Sequence, residues 1–149
     1  INKKNISKKD FKKFHPSGSL GARLKTVEDL MLTKSKIPFI NENSNMEEAL
    51  RIISQKKLGT LIVRNNKGNT TGIITDGTIR RTNEKNSNLQ ALAVKSVMTK
   101  NPINVSKEML AEKALAIMNH KKITSLCVNN NKKTIGILHI HSILAAKIQ

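Results

Sequence analysis

The sequence predicts a mixed α/β fold in which two similar units pack with pseudo-twofold symmetry. The segment from Leu30 to Ile79 returns in similar form from Val97 to Ile143, so one supersecondary unit is duplicated. Within each copy, short β-rich runs alternate with a run of helical periodicity. A chain of 149 residues, 38% of them apolar, is long enough for one core that both units share.

The two copies align residue by residue. A methionine, a helical pair, an apolar run and a glycine recur in the same order. Because a unit of this size cannot bury its apolar face alone, the alignment predicts one compact pair. The aligned segments are Met31 with Met98, Ala49-Leu50 with Ala114-Leu115, Leu61-Ile62-Val63 with Leu126-Cys127-Val128, and Gly72-Ile73-Ile74 with Gly136-Ile137-Leu138.

The first helix of the first copy is amphipathic. Apolar residues recur at helical spacing between Met46 and Lys57, and Glu47 and Glu48 occupy the first turn. Acidic residues in a first turn stabilise the helix dipole, and Ser44 or Asn45 can act as the N-cap.

A β-hairpin and a second helix follow in the first copy. Residues 60–64 form a short β-rich run, the polar residues 65–69 predict the turn, and residues 72–75 form the return strand. The second helix is expected to begin near Asp76, with Thr78 in its first turn.

The second copy repeats the order strand, helix, strand, strand, helix. We expect Ser106 to cap its first helix and residues 129–132 to form its hairpin turn. Between the copies, residues 82–90 are polar and predict a linker that ends in a short helical segment. The expected apolar face of the first helix consists of Leu110, Ala111, Ala114, Leu115, Ile117 and Met118.

The net charge of +17 raises the question of nucleic-acid binding. The lysines are scattered among asparagines along the whole chain, and three Phe with no Tyr or Trp leave little to stack on bases. The pattern favours a solvated basic surface, so we predict no specific nucleic-acid partner.

The distribution of apolar residues also indicates the cellular compartment of the protein. No run approaches the roughly 18 apolar residues that a membrane helix needs, and the lysine-rich N-terminus differs from a secretory signal, so no membrane partner is expected. Cys127, the single cysteine, lies in an apolar run and is expected to be a buried, inert thiol. These observations favour a cytoplasmic protein.

The methionine at the start of each copy, the order of elements and the Gly-apolar-apolar-Thr turn resemble the CBS domain, and two copies resemble a tandem CBS pair, or Bateman module. The resemblance covers about residues 27–146. The runs GIITDGTIRR from Gly72 and ITSLCV…IGILHIHSIL from Ile123 are similar to the CBS pair of bacterial D-arabinose 5-phosphate isomerases. The run from Asp10 to Leu24 is similar to the segment that closes the sugar isomerase (SIS) domain of those enzymes.

This resemblance implies a domain organisation. Residues 1–24 would be the C-terminal tail of the SIS domain, residues 27–82 the first CBS repeat, residues 83–93 the linker and residues 94–146 the second repeat. The chain begins at Ile1, and we interpret it as a fragment of a larger protein. The parent would interconvert ribulose 5-phosphate and arabinose 5-phosphate, a precursor of the lipopolysaccharide sugar Kdo, whereas the fragment alone is expected to have no isomerase activity.

His15 is the one catalytic candidate, and only within a complete SIS domain. The resemblance places it in a His-Pro-Gly-Gly-like segment, although Ser17 stands where a glycine is usual. An imidazole with a near-neutral pKa can move a proton between C1 and C2 in such an isomerisation. The alternative is that His15 only ends a loop before a helix.

The resemblance also implies an adenine-nucleotide cleft between the repeats. Thr75 matches the hydroxyl that contacts phosphate or ribose, but Thr78 and Ser142 stand at the two positions where a carboxylate holds the ribose, and Asp76 is only adjacent. His139 replaces the threonine in the second repeat. The candidate ligand-binding residues are Thr75, Asp76, Thr78, Arg80, His139, His141 and Ser142.

The roles of the histidines and arginines can each be interpreted in two ways. His139 and His141 are spaced to share one side of a strand, but no cysteine or nearby carboxylate completes a metal site, so no metal is predicted. Arg80 and Arg81 either lie on an exposed helix face or contact an anionic ligand or a partner. No cofactor is required, and an adenine nucleotide or CMP-Kdo is the possible effector.

Two functions from different classes remain open. The first is a regulatory and oligomerising CBS pair that forms a homodimer, contacts its own SIS domain and belongs to a tetrameric parent enzyme. The second is a purely structural dimerisation module whose ligand cleft has decayed. A polyanion-binding module driven by charge is a third reading.

Overall fold

The computed structural model describes Gly21 and residues 24–147. It contains two β-sheets and flanking helices, which confirms the predicted α/β class and the duplicated strand-helix-strand-strand-helix unit. The helices are α1 (Val27–Leu30), α2 (Met46–Lys56), α3 (Asp76–Lys85), α4 (Val94–Val97), α5 (Ala111–Lys121) and α6 (Ile140–Ala145). The strands are β1 (Phe39–Asn41), β2 (Thr60–Arg64), β3 (Thr70–Thr75), β4 (Thr99–Lys100), β5 (Asn104–Val105), β6 (Ser125–Asn130) and β7 (Lys133–His139).

Each sheet is built around one hairpin. The first has the order β1-β2-β3-β4, with β1 parallel to β2 and the other neighbours antiparallel. The second has the order β5-β6-β7, with β5 parallel to β6. Leu32 pairs with Ile137 of β7 in an antiparallel bridge, as Thr99 of β4 pairs with Ile73 of β3. The two sheets are therefore pseudo-symmetric.

The helix predictions for the first repeat are confirmed. The Asn45 side chain accepts a hydrogen bond of 3.0 Å from the backbone N–H of Glu48 and is therefore the N-cap. The helix α2 ends before Lys57, which takes the left-handed conformation that commonly terminates helices. The helix α3 begins at Asp76 as predicted and continues to Lys85, so the first part of the expected linker is helical.

The prediction that Ser106 caps the matching helix is wrong. The helix α5 begins at Ala111, and its N-cap residue, Leu110, makes no side-chain capping bond within the described chain and is exposed rather than part of the apolar face. The backbone N–H of Ala111 donates to the carbonyl of Lys25 at 2.8 Å. The first N–H of α2 makes the same kind of bond, so a distant backbone segment meets the start of both helices, and α5 lacks the side-chain cap that α2 has.

The segment that precedes each repeat packs on the core of the other repeat. Val27 is fully buried among residues of the second repeat, whereas Val94 and Val97 pack with the first. A methionine in each of these segments lies against a glycine of the other sheet: Met31 against Gly136, and Met98 against Gly72. The two repeats are therefore interlocked.

A third apolar layer lies between the two sheets. It contains Ile37, Ile62, Ile137 and Cys127, which is fully buried as predicted. Burial raises the pKa of the Cys127 thiol to about 12, so the thiol is neutral and unreactive at physiological pH.

The hairpin turns join the two sheets at one end. Thr70 and Thr134, equivalent residues of the two repeats, hydrogen bond through their hydroxyls, and the backbone N–H of Thr70 donates to the carbonyl of Lys132 at 2.8 Å. The Lys133 ammonium donates to the carbonyl of Lys67 at 3.0 Å. The other end of the sheets remains open.

Within residues 24–147, no helix combines the length and apolar character required to cross a bilayer.

Candidate functional site

A cavity of about 760 Å³ opens between the repeats at the end of the sheets opposite the hairpin turns. Its volume lies in the range of sites for nucleotide-sized ligands. Both repeats contribute to its lining, which includes four basic side chains and one acidic side chain. The lining residues are Lys57, Leu58, Gly59, Thr60, Ile73, Thr75, Asp76, Gly77, Thr78, Arg80, Arg81, Thr99, Asn101, Pro102, Ile103, Lys122, Ile123, Thr124, Ser125, His139 and His141.

The hydroxyl pair Thr75 and Thr78 begins α3. The Thr75 hydroxyl accepts a hydrogen bond of 3.2 Å from the backbone N–H of Thr78, and the two hydroxyls lie 3.1 Å apart. This reciprocal pair is a capping box, and it explains why Thr78 is buried. A ligand that used either hydroxyl would therefore share it with the helix start.

Asp76 and Arg81 flank the start of α3. The Asp76 carboxylate lies so close to Gly59 that a Cβ there would be 2.9 Å from Oδ2, and Gly59 has φ +70°, which favours glycine. An Arg81 guanidinium nitrogen is 3.2 Å from the position of a Cβ on Gly77, so this side chain folds back over the helix N-terminus. A cation is thus held at the positive end of the dipole of a ten-residue helix, where the N–H groups of Asp76 and Thr78 already donate to the Gly59 carbonyl and the Thr75 hydroxyl.

Two histidines of the second repeat, His139 and His141, line the cavity. The His139 Nδ1 accepts a hydrogen bond of 3.1 Å from the backbone N–H of His141 and thereby caps α6, and the two ring centroids are 4.6 Å apart. Burial lowers the pKa of His139 below its ordinary 6.5, the charge of His141 lowers it further, and the backbone of Leu58 opposes both. His139 is therefore a neutral hydrogen-bonding group at physiological pH.

The floor of the cavity contains two hydroxyls. Thr60 and Ser125 are the first residues of β2 and β6, and their exposed fractions are 1% and 8%. Neither hydroxyl oxygen has a hydrogen-bond partner among the residues that the structure describes. Thr60 lies across the hairpin from Thr75, and Ser125 lies across from His139.

The two segments that lead into the repeats differ at the cavity mouth. Ile40 comes eight positions after Leu32, whereas its counterpart Val105 comes six positions after Thr99. The two additional residues of the first repeat form a 3-10 turn around Ser35, whose carbonyl accepts a 2.6 Å hydrogen bond from Lys56. Only the second repeat's lead-in segment, at Thr99 and residues 101–103, lines the cavity.

The cavity brings most of the predicted ligand residues together. Thr75, Asp76, Thr78, Arg80, His139 and His141 line it, whereas Ser142 lies outside its lining. His15 falls outside the described residues. Lys57, Lys122, Thr60 and Ser125 were missed, although a hydroxyl within an apolar run and a lysine just after a helix were visible signals. Within residues 24–147, no group of three or more metal-ligating side chains occurs.

The family model of the CBS domain matches residues 27–84 and 94–148. The chain belongs to the CBS domain family. This CBS pair is 40% identical over 149 residues to the arabinose 5-phosphate isomerase KdsD of Francisella tularensis, an alignment that covers 98% of this chain and 45% of that protein. The chain spans less than half the length of the curated relatives that it matches.

Solved CBS pairs share the fold. The structure of CBSX2, a CBS-pair protein of Arabidopsis thaliana, in complex with AMP has a TM-score of 0.72 at 23% identity, covering 82% of this chain and 95% of that chain. The CBS domain pair of protein MJ0100, in complex with 5-methylthioadenosine and S-adenosyl-L-methionine, has a TM-score of 0.73 at 20% identity, covering 82% and 94% of the two chains. At these identities the likeness establishes the fold alone.

Proposed function

We propose that this CBS pair is the regulatory and oligomerising module of a cytoplasmic arabinose 5-phosphate isomerase and that it binds a nucleotide or sugar-nucleotide effector between its repeats. The cavity carries this proposal, because it is of nucleotide size and joins a helix N-terminus to basic side chains from both repeats. Its ligand would then bias the subunit packing of the parent enzyme.

The charges of the cavity favour a phosphate-bearing ligand. Arg81 lies over the start of α3, and Lys57 and Lys122 close the two equivalent helices with left-handed backbone at the cavity. A phosphate there would form charge-assisted hydrogen bonds, which are about twice as strong as neutral ones. The solved neighbours hold AMP and S-adenosyl-L-methionine, so an adenine nucleotide is one candidate, and CMP-Kdo is the other.

The similarity to KdsD proteins supports the parent reaction. It extends over 98% of the chain in the Francisella protein, beyond the part that the CBS family model matches. We infer that residues 1–24 end an SIS domain in which His15 moves the proton between C1 and C2 of the sugar phosphate. Isomerase activity would therefore require the full-length protein.

A thermal-shift screen tests the effector. The chain is heated with AMP, ADP, ATP, CMP-Kdo or arabinose 5-phosphate, each at low and high salt. A ligand at a hundred times its dissociation constant adds about 2.7 kcal/mol, which corresponds to about 5–10 °C for a domain of this size. A shift that persists at high salt supports the effector reading, and a shift that disappears indicates nonspecific polyanion binding.

A structural dimerisation module is the second candidate. The Thr75 and Thr78 hydroxyls are already paired with each other, and no carboxylate stands at position 78 or 142 to hold a ribose. Light scattering at several protein concentrations, with and without the screened compounds, separates the two functions. A homodimer whose stability no compound changes would favour the structural role.

A further inference from the structure

The two buried hydroxyls at the cavity floor are not explained by the fold. Buried polar side chains in native proteins nearly always have a hydrogen-bond partner, and a buried hydroxyl without one destabilises the folded state. The Thr60 and Ser125 oxygens are buried and unpartnered within the described chain. An apolar residue at either position would avoid this penalty.

Their positions point to one common location. Side chains alternate along a strand, so Thr60 faces the same side as Ile62, and Ser125 the same side as Cys127. Ile62 and Cys127 belong to the apolar layer between the sheets. The apolar layer between the sheets therefore ends at the cavity with one hydroxyl from each repeat. Thr60 and Ser125 both line the cavity.

The neighbouring polar groups do not satisfy these hydroxyls. Thr75, opposite Thr60, accepts the hydrogen bond that caps α3. His139, opposite Ser125, uses Nδ1 to cap α6. Of the four polar residues at the strand ends, two complete the helices and two are left for another partner.

The mouth of the cavity is one-sided. The second repeat's lead-in residues, including Asn101 and Pro102, line it. In the first repeat, the equivalent segment is longer, is tied to α2 by the Lys56 to Ser35 hydrogen bond, and buries Ile37 in the layer between the sheets. Two symmetric sites are therefore not built, although the chain is duplicated.

We propose that Thr60 and Ser125 together bind the uncharged polar end of a single phosphorylated ligand, one per chain. The inference rests on the proposed effector function and names its binding determinants. Because each hydroxyl can donate and accept, the group they hold is one that does both, such as an amino-substituted base or a sugar hydroxyl. The phosphate end lies towards Arg81 and the start of α3, so one ligand contacts both repeats.

The test uses Thr60→Val and Ser125→Ala in the 149-residue chain, with Ser54→Ala, an exposed serine of α2, as the matched control. Isothermal calorimetry with AMP and with CMP-Kdo is expected to give one site per wild-type chain for the probe that binds. Each floor variant is expected to weaken that binding about tenfold, which is 1.4 kcal/mol. The control should bind as the wild type does.

Ligand-free stability is a second readout. If the hydroxyls are unpartnered until the ligand binds, Thr60→Val raises the Tm of the free chain by roughly 2–4 °C or more. A lower Tm in both floor variants would show that the hydroxyls already have structural partners and would overturn the proposal.

The remaining outcomes separate this inference from the proposed function. Wild-type binding that both floor variants retain, or two sites per chain, overturns the inference and leaves the effector function in place. If neither probe binds the wild-type chain, both are overturned.

Discussion

The helix that begins at the cavity in the first repeat is charged, whereas its counterpart in the second repeat has no Asp, Glu, Lys or Arg. Asp76, Arg80 and Arg81 of α3 correspond to Ile140, Leu144 and Ala145 of α6 when Gly72 is aligned with Gly136. The helix α3 has ten residues, whereas α6 has six. At the sheets, Thr70 and Gly72 have identical counterparts in Thr134 and Gly136, so duplication preserved these packing positions while the residues of the two helices diverged.

The largest expected effect tests whether the two repeats form one unit. Leu61 and Leu126 are equivalent, fully buried and located in the two separate helix-facing cores. We expect Leu61→Ala and Leu126→Ala each to reduce the free energy of unfolding by about 3–4 kcal/mol. Because the lead-in segments cross between the cores, chemical denaturation should remain a single transition. Two separate transitions in either variant would contradict the interlocked arrangement.

The methionine and glycine contacts give the next effect. A Cβ on Gly72 would lie 2.9 Å from the backbone carbonyl of Thr99, and one on Gly136 would lie 3.1 Å from that of Leu32. Both sites are overpacked by an alanine, so Gly72→Ala and Gly136→Ala should destabilise by about 1–3 kcal/mol, with Gly72→Ala the more severe. Urea denaturation measures both.

The control for the glycine variants removes the opposing side chain. Combining Gly72→Ala with Met98→Ala relieves the contact with the sulfur atom but not the contact with the Thr99 carbonyl. The double variant should therefore lose less stability than the sum of the single variants. Strict additivity would show that the two residues are not in contact.

The charge difference between α3 and α6 predicts how phosphate contributes to binding. Arg81→Gln should weaken AMP or CMP-Kdo binding about tenfold at low salt, because it removes the cation above the start of α3. Arg51→Gln, on α2 outside this cavity, is the control. Adenosine, which lacks the phosphate, should bind both variants equally well. An equal loss for AMP and adenosine would argue against a phosphate position at Arg81.

The smallest effect concerns His139. A folded-state pKa below 6.5 means that the native protein disfavours the imidazolium, so stability present above pH 6.5 is lost as the pH falls through the lowered pKa. His139→Thr, which restores the first repeat's residue, should flatten this dependence in thermal melts between pH 7.5 and 5. The exposed His120 provides the control variant His120→Asn, which should keep the wild-type profile. An unchanged profile in His139→Thr would contradict this role.

The sequence predicted elements that local patterns determine. Helical periodicity and a capping asparagine place α2 correctly, and an apolar run between polar turns places β2 at residues 60–64. The Ser106 cap failed because α5 begins only at Ala111, and its N-cap position holds Leu110, the counterpart of Asn45. In both helices the first N–H also donates to a carbonyl far away in the chain, and local patterns do not reveal such contacts.

The cavity was predictable only in part. The Gly-apolar-apolar-Thr turn identified Thr75 and its neighbours, whereas Lys57 and Lys122 reach the cavity because left-handed residues end two equivalent helices. Thr60 and Ser125 could have been noticed as hydroxyls within apolar runs, but their lack of partners depends on how Thr75 and His139 are used. Whether these two hydroxyls have hydrogen-bond partners is therefore determined only when the two hairpins are assembled.

The hydroxyl bond between Thr70 and Thr134 also determines how the molecule can deform. It joins the two sheets at the hairpin end, while the cavity separates them at the other end. Two plates joined along one edge can change the gap at the opposite edge only by turning about the joined edge. A change in cavity width that keeps this hydrogen bond is therefore an angular motion of one repeat against the other about the hairpin end.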